Sequence, residues 1–80
     1  MHHDMAQFFL LFEEWEVADQ LATQAECCLG RGLEAYCEGI GPAPSASEIA
    51  EAKRLRHLAT DRLRAILKYV EHARLNTRVI

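Results

Sequence analysis

The chain has 80 residues, of which half are apolar and about a quarter are charged, and its formal net charge is −3. This size allows one domain with a marginal hydrophobic core, and the composition is too apolar for a disordered chain. The only concentrated apolar run, residues 8–12, is far too short to span a bilayer, and three glutamates follow it closely.

The first predicted element is a long amphipathic helix over residues 5–38. Apolar and small residues recur here at alternating spacings of three and four, the pattern of a helix that packs along its length against another helix. Asp4 and Gln7 have the spacing of a capping box at its start. The apolar seam consists of Phe8, Leu11, Trp15, Ala18, Ala22, Ala25, Leu29, Gly32, Tyr36 and Gly39.

Two residues of low helix propensity, Gly30 and Gly32, lie within this helix. Each lowers the stability of a helix by roughly 1 kcal/mol relative to alanine. A break in the helix at this point is therefore one alternative. Leu33, Tyr36 and Ile40 nevertheless stay in phase with the apolar residues before the glycines, whereas a turn would usually shift the phase. The pattern therefore favours one continuous helix.

A short loop over residues 39–45 and a second helix over residues 46–75 follow. The Gly/Pro-rich segment 41–44 cannot continue a helix. Ser45 stands three residues before Glu48, which is the spacing of a capping box at the start of the second helix. The seam of this helix consists of Ile49, Ala52, Leu55, Ala59, Leu63, Ile66, Val70 and Ala73.

The predicted fold is all-α: the two helices form an antiparallel hairpin, a single domain over residues 1–80. A helix of the first element's length spans about 50 Å, whereas a compact chain of this size has a radius of gyration of about 12 Å. The hairpin is therefore a slender single layer. Each apolar stripe is wider than one neighbouring helix covers, so we expect two copies to form a four-helix bundle.

Charge is divided unevenly between the two halves of the chain. The first forty residues hold eight acidic residues and one basic residue, a net charge of −7; the last forty hold four acidic and eight basic residues, a net charge of +4. In the hairpin the acidic flank of the first helix lies beside the basic flank of the second, which disfavours nucleic acid as a partner. A loop centred near Pro42 predicts the ion pairs Glu16 with Lys68 and Asp19 with Arg64.

The side of the hairpin opposite these charged flanks is predicted to be apolar. Monomers rarely expose a continuous apolar stripe. We therefore expect this side, the partner face, to bind a second copy of the chain or the helix of another protein. The partner face consists of Leu10, Val17, Leu21, Cys28, Leu58 and Tyr69.

Aromatic residues gather at one end of the first helix, where they form the aromatic end: Phe8, Phe9, Phe12 and Trp15. Packing of these rings against Tyr69 of the returning helix is the favoured interpretation. The alternative is a hydrophobic groove that receives a partner's helix or a small apolar ligand.

The residue types that carry chemistry are not spaced for a catalytic, metal or nucleotide site. Cys27, Cys28 and Cys37 lack the paired spacing of a zinc site, and Cys28 and Cys37 are expected to be small core residues. His57 and His72 lie about 22 Å apart along one helix, too far to share a metal ion. We predict no enzyme activity, no cofactor and no metal.

The expected function is that of a small non-enzymatic adaptor or regulator, acting as a homodimer through its apolar surfaces. Its odd number of cysteines indicates reduced thiols and a cytoplasmic location. Two alternatives stay open. One is a helical subunit of a secretion system or filament, or its chaperone, since small hairpins of this gross plan occur there; the other is nucleic-acid binding by the arginine-rich second helix.

Overall fold

The computed structural model describes the backbone of residues 5–77 and the side chains of residues 5–74. It contains two helices, α1 (Met5–Cys37) and α2 (Ala46–Thr77), which pack against each other as an antiparallel hairpin. The described part of the chain has no strand, so the predicted all-α hairpin is confirmed. The molecule measures 64 × 18 × 17 Å, and its radius of gyration is 18.3 Å.

Helix α1 runs without interruption through both of its glycines. A Cβ added at Gly30 would meet no atom within 4 Å, and one at Gly32 would make an ordinary contact of 3.7 Å with the Pro44 ring. The phase of the apolar residues thus predicted the continuity of α1 correctly.

Helix α1 ends in a Schellman turn, in which Gly39 has a φ of +77°. The amide of Ile40 donates to the carbonyl of Ala35 at 2.9 Å, and the amide of Gly39 donates to the carbonyl of Tyr36 at 3.0 Å. Glycine adopts this left-handed conformation without the Cβ clash that other residues meet. The helix ends at Cys37, one residue before the predicted boundary.

Helix α2 begins with the capping box that the sequence indicated. The amide of Glu48 donates to Ser45 Oγ at 3.0 Å, and the amide of Ser45 donates to Glu48 Oε1 at 2.8 Å. The two bonds satisfy donors that would otherwise lack a partner at the helix start. The helix continues to Thr77, two residues beyond the predicted end. Asp4, which carries the predicted capping box of α1, lies outside the described residues.

The buried part of the contact between the helices consists mainly of small side chains. Five apolar residues are buried, and Ile66 is the only buried residue larger than alanine among the described side chains. Alanines allow two helices to approach closely, but they remove little apolar area from water. The buried residues are Ala18, Ala22, Ala52, Ala59 and Ile66.

Candidate functional site

Four of the six residues predicted for the partner face lie together in one open groove between the helices. Leu10, Val17 and Leu21 of α1 form one wall, and their side chains are 46–59% exposed. Leu58 of α2 forms the floor, where it packs against the alanine core. The groove has a volume of ≈ 370 Å³, and its apolar lining comes mainly from one helix.

An ion pair bridges this groove. Arg62 Nη1 of α2 lies 3.6 Å from Glu14 Oε1 of α1, and both residues line the groove. Because both side chains are more than two-fifths exposed, the pair adds little stability. It makes the middle of the partner face polar, and the carboxylate of Glu13 lines the same groove.

The other two residues of the partner face lie in different surroundings. Cys28 lines a cavity at the loop end of the hairpin, and its thiol is exposed. Tyr69 packs against the aromatic end, with its ring centroid 6.4 Å from that of Phe8. The partner face is therefore one groove with a separate residue towards each end of the hairpin.

The aromatic end forms a connected set of rings along α1. The ring centroids of Phe8 and Phe12 are 6.3 Å apart, and those of Phe12 and Trp15 are 5.6 Å apart. Phe8 and Trp15 are half-buried, whereas Phe9 and Phe12 are exposed. The set packs on α2 through Phe8 and presents Phe9 and Phe12 outward. Binding of a partner's helix or a small apolar ligand at this end stays a prediction.

The cavity at the loop end has a volume of ≈ 500 Å³ and a floor of small side chains. Its two carboxylates already have partners, because Glu48 belongs to the capping box and Glu51 accepts two hydrogen bonds from Arg54. Those bonds lower the pKa of Glu51. A ligand would find an apolar recess here, with no free carboxylate to orient it. The lining includes Ala25, Cys28, Leu29, Gly32, Ala35 and Pro44.

The strongest ionic contact between the helices is centred on Arg56. Its Nη1 lies 2.8 Å from Asp19 Oδ1, and its Nε and Nη2 donate to the two oxygens of Glu26 at 2.9 and 2.8 Å. Thr23 Oγ1 accepts a further bond at 3.4 Å. The hydrogen bond from Arg56 lowers the pKa of Glu26, and this effect outweighs the rise that burial causes. The hydrogen bonds to Glu26 and Asp19 raise the pKa of Arg56.

This contact corrects the predicted partner of Asp19. Asp19 pairs with Arg56 and not with Arg64, which instead lies 3.4 Å from Asp61 in its own helix. The reason is the position of the turn: the chain reverses at the positive-φ Gly39, three residues before the proline on which the register was centred. The helices are therefore offset by several residues from the predicted alignment.

The basic residues of α2 are largely engaged with carboxylates. Arg54, Arg56, Arg62 and Arg64 each have an acidic partner within 4 Å. A protein that binds nucleic acid gains affinity by neutralising phosphates with free cations. These pairs weaken the case for a nucleic-acid interface on α2.

The cysteines differ from their predicted surroundings. Cys28 and Cys37 were expected in the core but are exposed, as is Cys27. One neighbouring helix covers only the centre of the α1 stripe, so its flanking residues remain in contact with solvent. Within residues 5–74, no group of three or more histidine, cysteine or acidic side chains is arranged to hold a metal ion.

A second apolar surface lies on the Arg56 side of the hairpin, and the sequence reasoning missed it. Its signal was a seven-residue spacing, which keeps side chains on one stripe of a helix. We call this surface the heptad face. Its α1 stripe consists of Met5, Phe12, Asp19, Glu26 and Leu33, and its α2 stripe of Ile49, Arg56, Leu63 and Val70, with Leu67 beside it.

The heptad face is apolar at both ends and charged in the middle. All its apolar members are more than a third exposed, while Arg56 and its two carboxylates occupy the centre. Every exposed large apolar residue of α2 whose side chain is described belongs to this face. The hairpin therefore exposes apolar surface on two sides.

Comparison with known proteins identifies no relative of this chain. No protein-family model, curated protein sequence or solved structure matches this chain. In the described part of the chain, neither helix has a segment apolar and long enough to cross a membrane.

Replacing Arg56 with methionine is expected to flatten the loss of stability in acid. The pKa of Glu26 is lowered in the hairpin, so its ionised form stabilises the fold above the ordinary pKa of 4.5, and this contribution disappears as the pH falls through the lowered pKa. Methionine keeps an aliphatic side chain but donates no hydrogen bond. Urea unfolding between about pH 3 and pH 6 measures the change.

The control for this prediction is Glu26→Gln made in the Arg56→Met background. Once the guanidinium is gone, Glu26 has no hydrogen bond to lose, so the double variant should show the same pH dependence as Arg56→Met alone. Equal losses of unfolding free energy in acid for the wild type and Arg56→Met would contradict the prediction.

Proposed function

We propose that this chain is a small, non-enzymatic interaction module that acts as a homodimer, in which two hairpins form a four-helix bundle. The observation that carries the proposal is the contrast between core and surface. Four alanines and one isoleucine are buried, while thirteen large apolar side chains of the described residues are exposed. Soluble monomers rarely leave so much apolar surface in water.

The surface area supports the same proposal. A compact protein of 9.1 kDa has an accessible surface of about 4,900 Å² by the empirical relation with mass, whereas this chain exposes 6298 Å². The excess of about 1,400 Å² is larger than the roughly 800 Å² that each partner contributes to an interface of standard size. A second hairpin would cover such an area.

As an adaptor, the dimer would hold target proteins by packing apolar surface against their helices. The partner face, centred on Leu10, Val17 and Leu21, suits this role because an open groove of leucines takes the apolar side of an amphipathic helix. A cytoplasmic location belongs to the proposal, since the three free cysteines remain thiols in a reducing compartment.

A second candidate function is that of a filament or secretion-associated subunit. It is favoured by one observation, the presence of apolar surface on two sides of the hairpin. Contacts on both sides would link hairpins into an open-ended assembly, whereas a contact on one side closes as a dimer.

The mass in solution and the concentration dependence of unfolding test the proposal. If folding and dimerisation are coupled, raising the protein concentration about 100-fold should stabilise the fold by about 2.7 kcal/mol and shift the urea midpoint upward. Light scattering should give the mass of two chains across the same range. A monomeric mass with a constant midpoint would contradict a dimer, and a mass that keeps growing would favour the filament subunit.

A further inference from the structure

We infer that the second copy docks on the heptad face, with a two-fold axis parallel to the long axis of the hairpin. The inference rests on the proposed homodimer and adds which surface closes it. It leaves the partner face free on the outside of the bundle, where a target helix can reach it.

The two stripes of the heptad face are complementary to each other. The α1 stripe is apolar at both ends and acidic at Asp19 and Glu26, and the α2 stripe is apolar at both ends and basic at Arg56. Within one hairpin the charged centres lie at the same level, because Arg56 binds both carboxylates. The apolar ends of the two stripes therefore lie at matching levels too.

This arrangement selects the direction of the two-fold axis. An axis parallel to the hairpin places the α1 stripe of each copy against the α2 stripe of the other at the same level, so acidic centres face basic centres and apolar ends face apolar ends. An axis across the hairpin instead places α1 against α1. The carboxylates of Asp19 and Glu26 would then face their own copies, which is repulsive.

The charges along the outer edges of the heptad face favour the same two-fold axis. Outside the stripes, α1 carries acidic residues such as Glu16, and α2 carries basic residues such as Lys53 and Arg64. Glu14 contacts Arg62 within the hairpin, which puts Glu16 within about one helical turn of the level of Arg64. Across the parallel axis, the acidic edge of one copy then lies beside the basic edge of the other.

The partner face is less suited to a second copy. Its exposed apolar residues all come from α1, and Leu58, the one apolar α2 residue that lines its groove, is already half-buried against the core. A surface supplied mainly by one helix accommodates one further helix better than two. The heptad face draws exposed apolar residues from both helices, as the layer of a four-helix bundle requires.

Matched leucine variants on the two sides test the inference. Leu63 on the heptad face and Leu21 on the partner face are 39% and 46% exposed in the hairpin, so glutamate at either position leaves the alanine core intact. We expect Leu63→Glu to raise the dimer dissociation constant by at least about 30-fold and Leu21→Glu to leave it unchanged. Sedimentation equilibrium gives the constants, and circular dichroism verifies that both variants are helical.

A charge exchange keeps the inference testable if Leu63→Glu does not fold. Glu16→Lys and Arg64→Glu should each weaken the dimer alone, because like charges then face each other across the axis. Mixed together they should form a heterodimer at least as tight as the wild type, since the parallel axis pairs each new charge with its opposite. Native mass spectrometry of the mixture distinguishes the heterodimer from both parents.

The contrary results separate the two proposals. A dimer that survives Leu63→Glu and is lost with Leu21→Glu overturns the docking on the heptad face while the homodimer stands. Failure of the mixed charge variants to recover dimerisation overturns the parallel axis. A wild-type protein that is monomeric at every concentration overturns both the homodimer and this inference.

Discussion

Replacing Ile66 with alanine is expected to lower the free energy of unfolding by about 2–5 kcal/mol. Ile66 is 7% exposed and is the one buried residue larger than alanine in the described part of the chain. The loss combines the free energy of transfer of the deleted carbon atoms with the cost of the cavity that they leave. The free energy of unfolding of a small domain is only a few kcal/mol, so this change should remove a large part of the stability.

Ile40→Ala is the matched control for Ile66→Ala. The substitution deletes the same atoms, but Ile40 is 75% exposed, and its contribution to the Schellman turn comes from its backbone amide. Its effect should stay within about 0.5 kcal/mol. Urea unfolding at one fixed protein concentration gives both values. Similar losses for the two variants would show that Ile66 does not anchor the helix contact.

Replacing Ala22 with leucine is expected to destabilise the hairpin by about 1–3 kcal/mol. Ala22 is 0% exposed and packs with Ala18 and Ala59 at the centre of the helix contact. A leucine side chain has no space there unless the helices separate, and separation would expose the half-buried Leu55 and Leu58. Leucine is nearly as good a helix former as alanine, so the loss reports on packing between the helices.

Gln20→Leu in the same helix controls for the added apolar side chain. Gln20 is exposed, so its replacement should change the unfolding free energy by less than about 0.5 kcal/mol. Equilibrium urea unfolding of both variants, followed by circular dichroism, gives the comparison. An Ala22→Leu variant as stable as the wild type would mean that the helices are not in close contact at this point.

Local sequence signals were sufficient to predict the two helices, the start of α2 and, to within one residue, the end of α1. The spacing of the apolar residues indicated both helices and carried α1 through Gly30 and Gly32. Ser45 and Glu48 predicted the start of α2, and Gly39 the end of α1 to within one residue. These features depend on contacts between residues at most five positions apart in the chain, so the local sequence determines them.

The same local signals did not predict which residues of the two helices lie opposite each other. Ion pairs were predicted from a turn centred near Pro42, but the chain reverses at Gly39, and Arg56 rather than Arg64 binds Asp19. A shift of a few residues brings a different charged residue to the contact. Only the packing of the alanines and the geometry of the turn together decide which residues meet.

The sequence by itself determined that this chain forms two amphipathic helices, because the periodicity of its apolar residues is a local property. The tertiary structure decided which parts of those stripes are buried. In the described residues, the buried part is a narrow line of four alanines and one isoleucine. One helix covers only the part of its neighbour that faces it, so the flanks carrying Leu21 and Leu63 stay exposed. The presence of two apolar faces, on opposite sides of the hairpin, follows from that geometry.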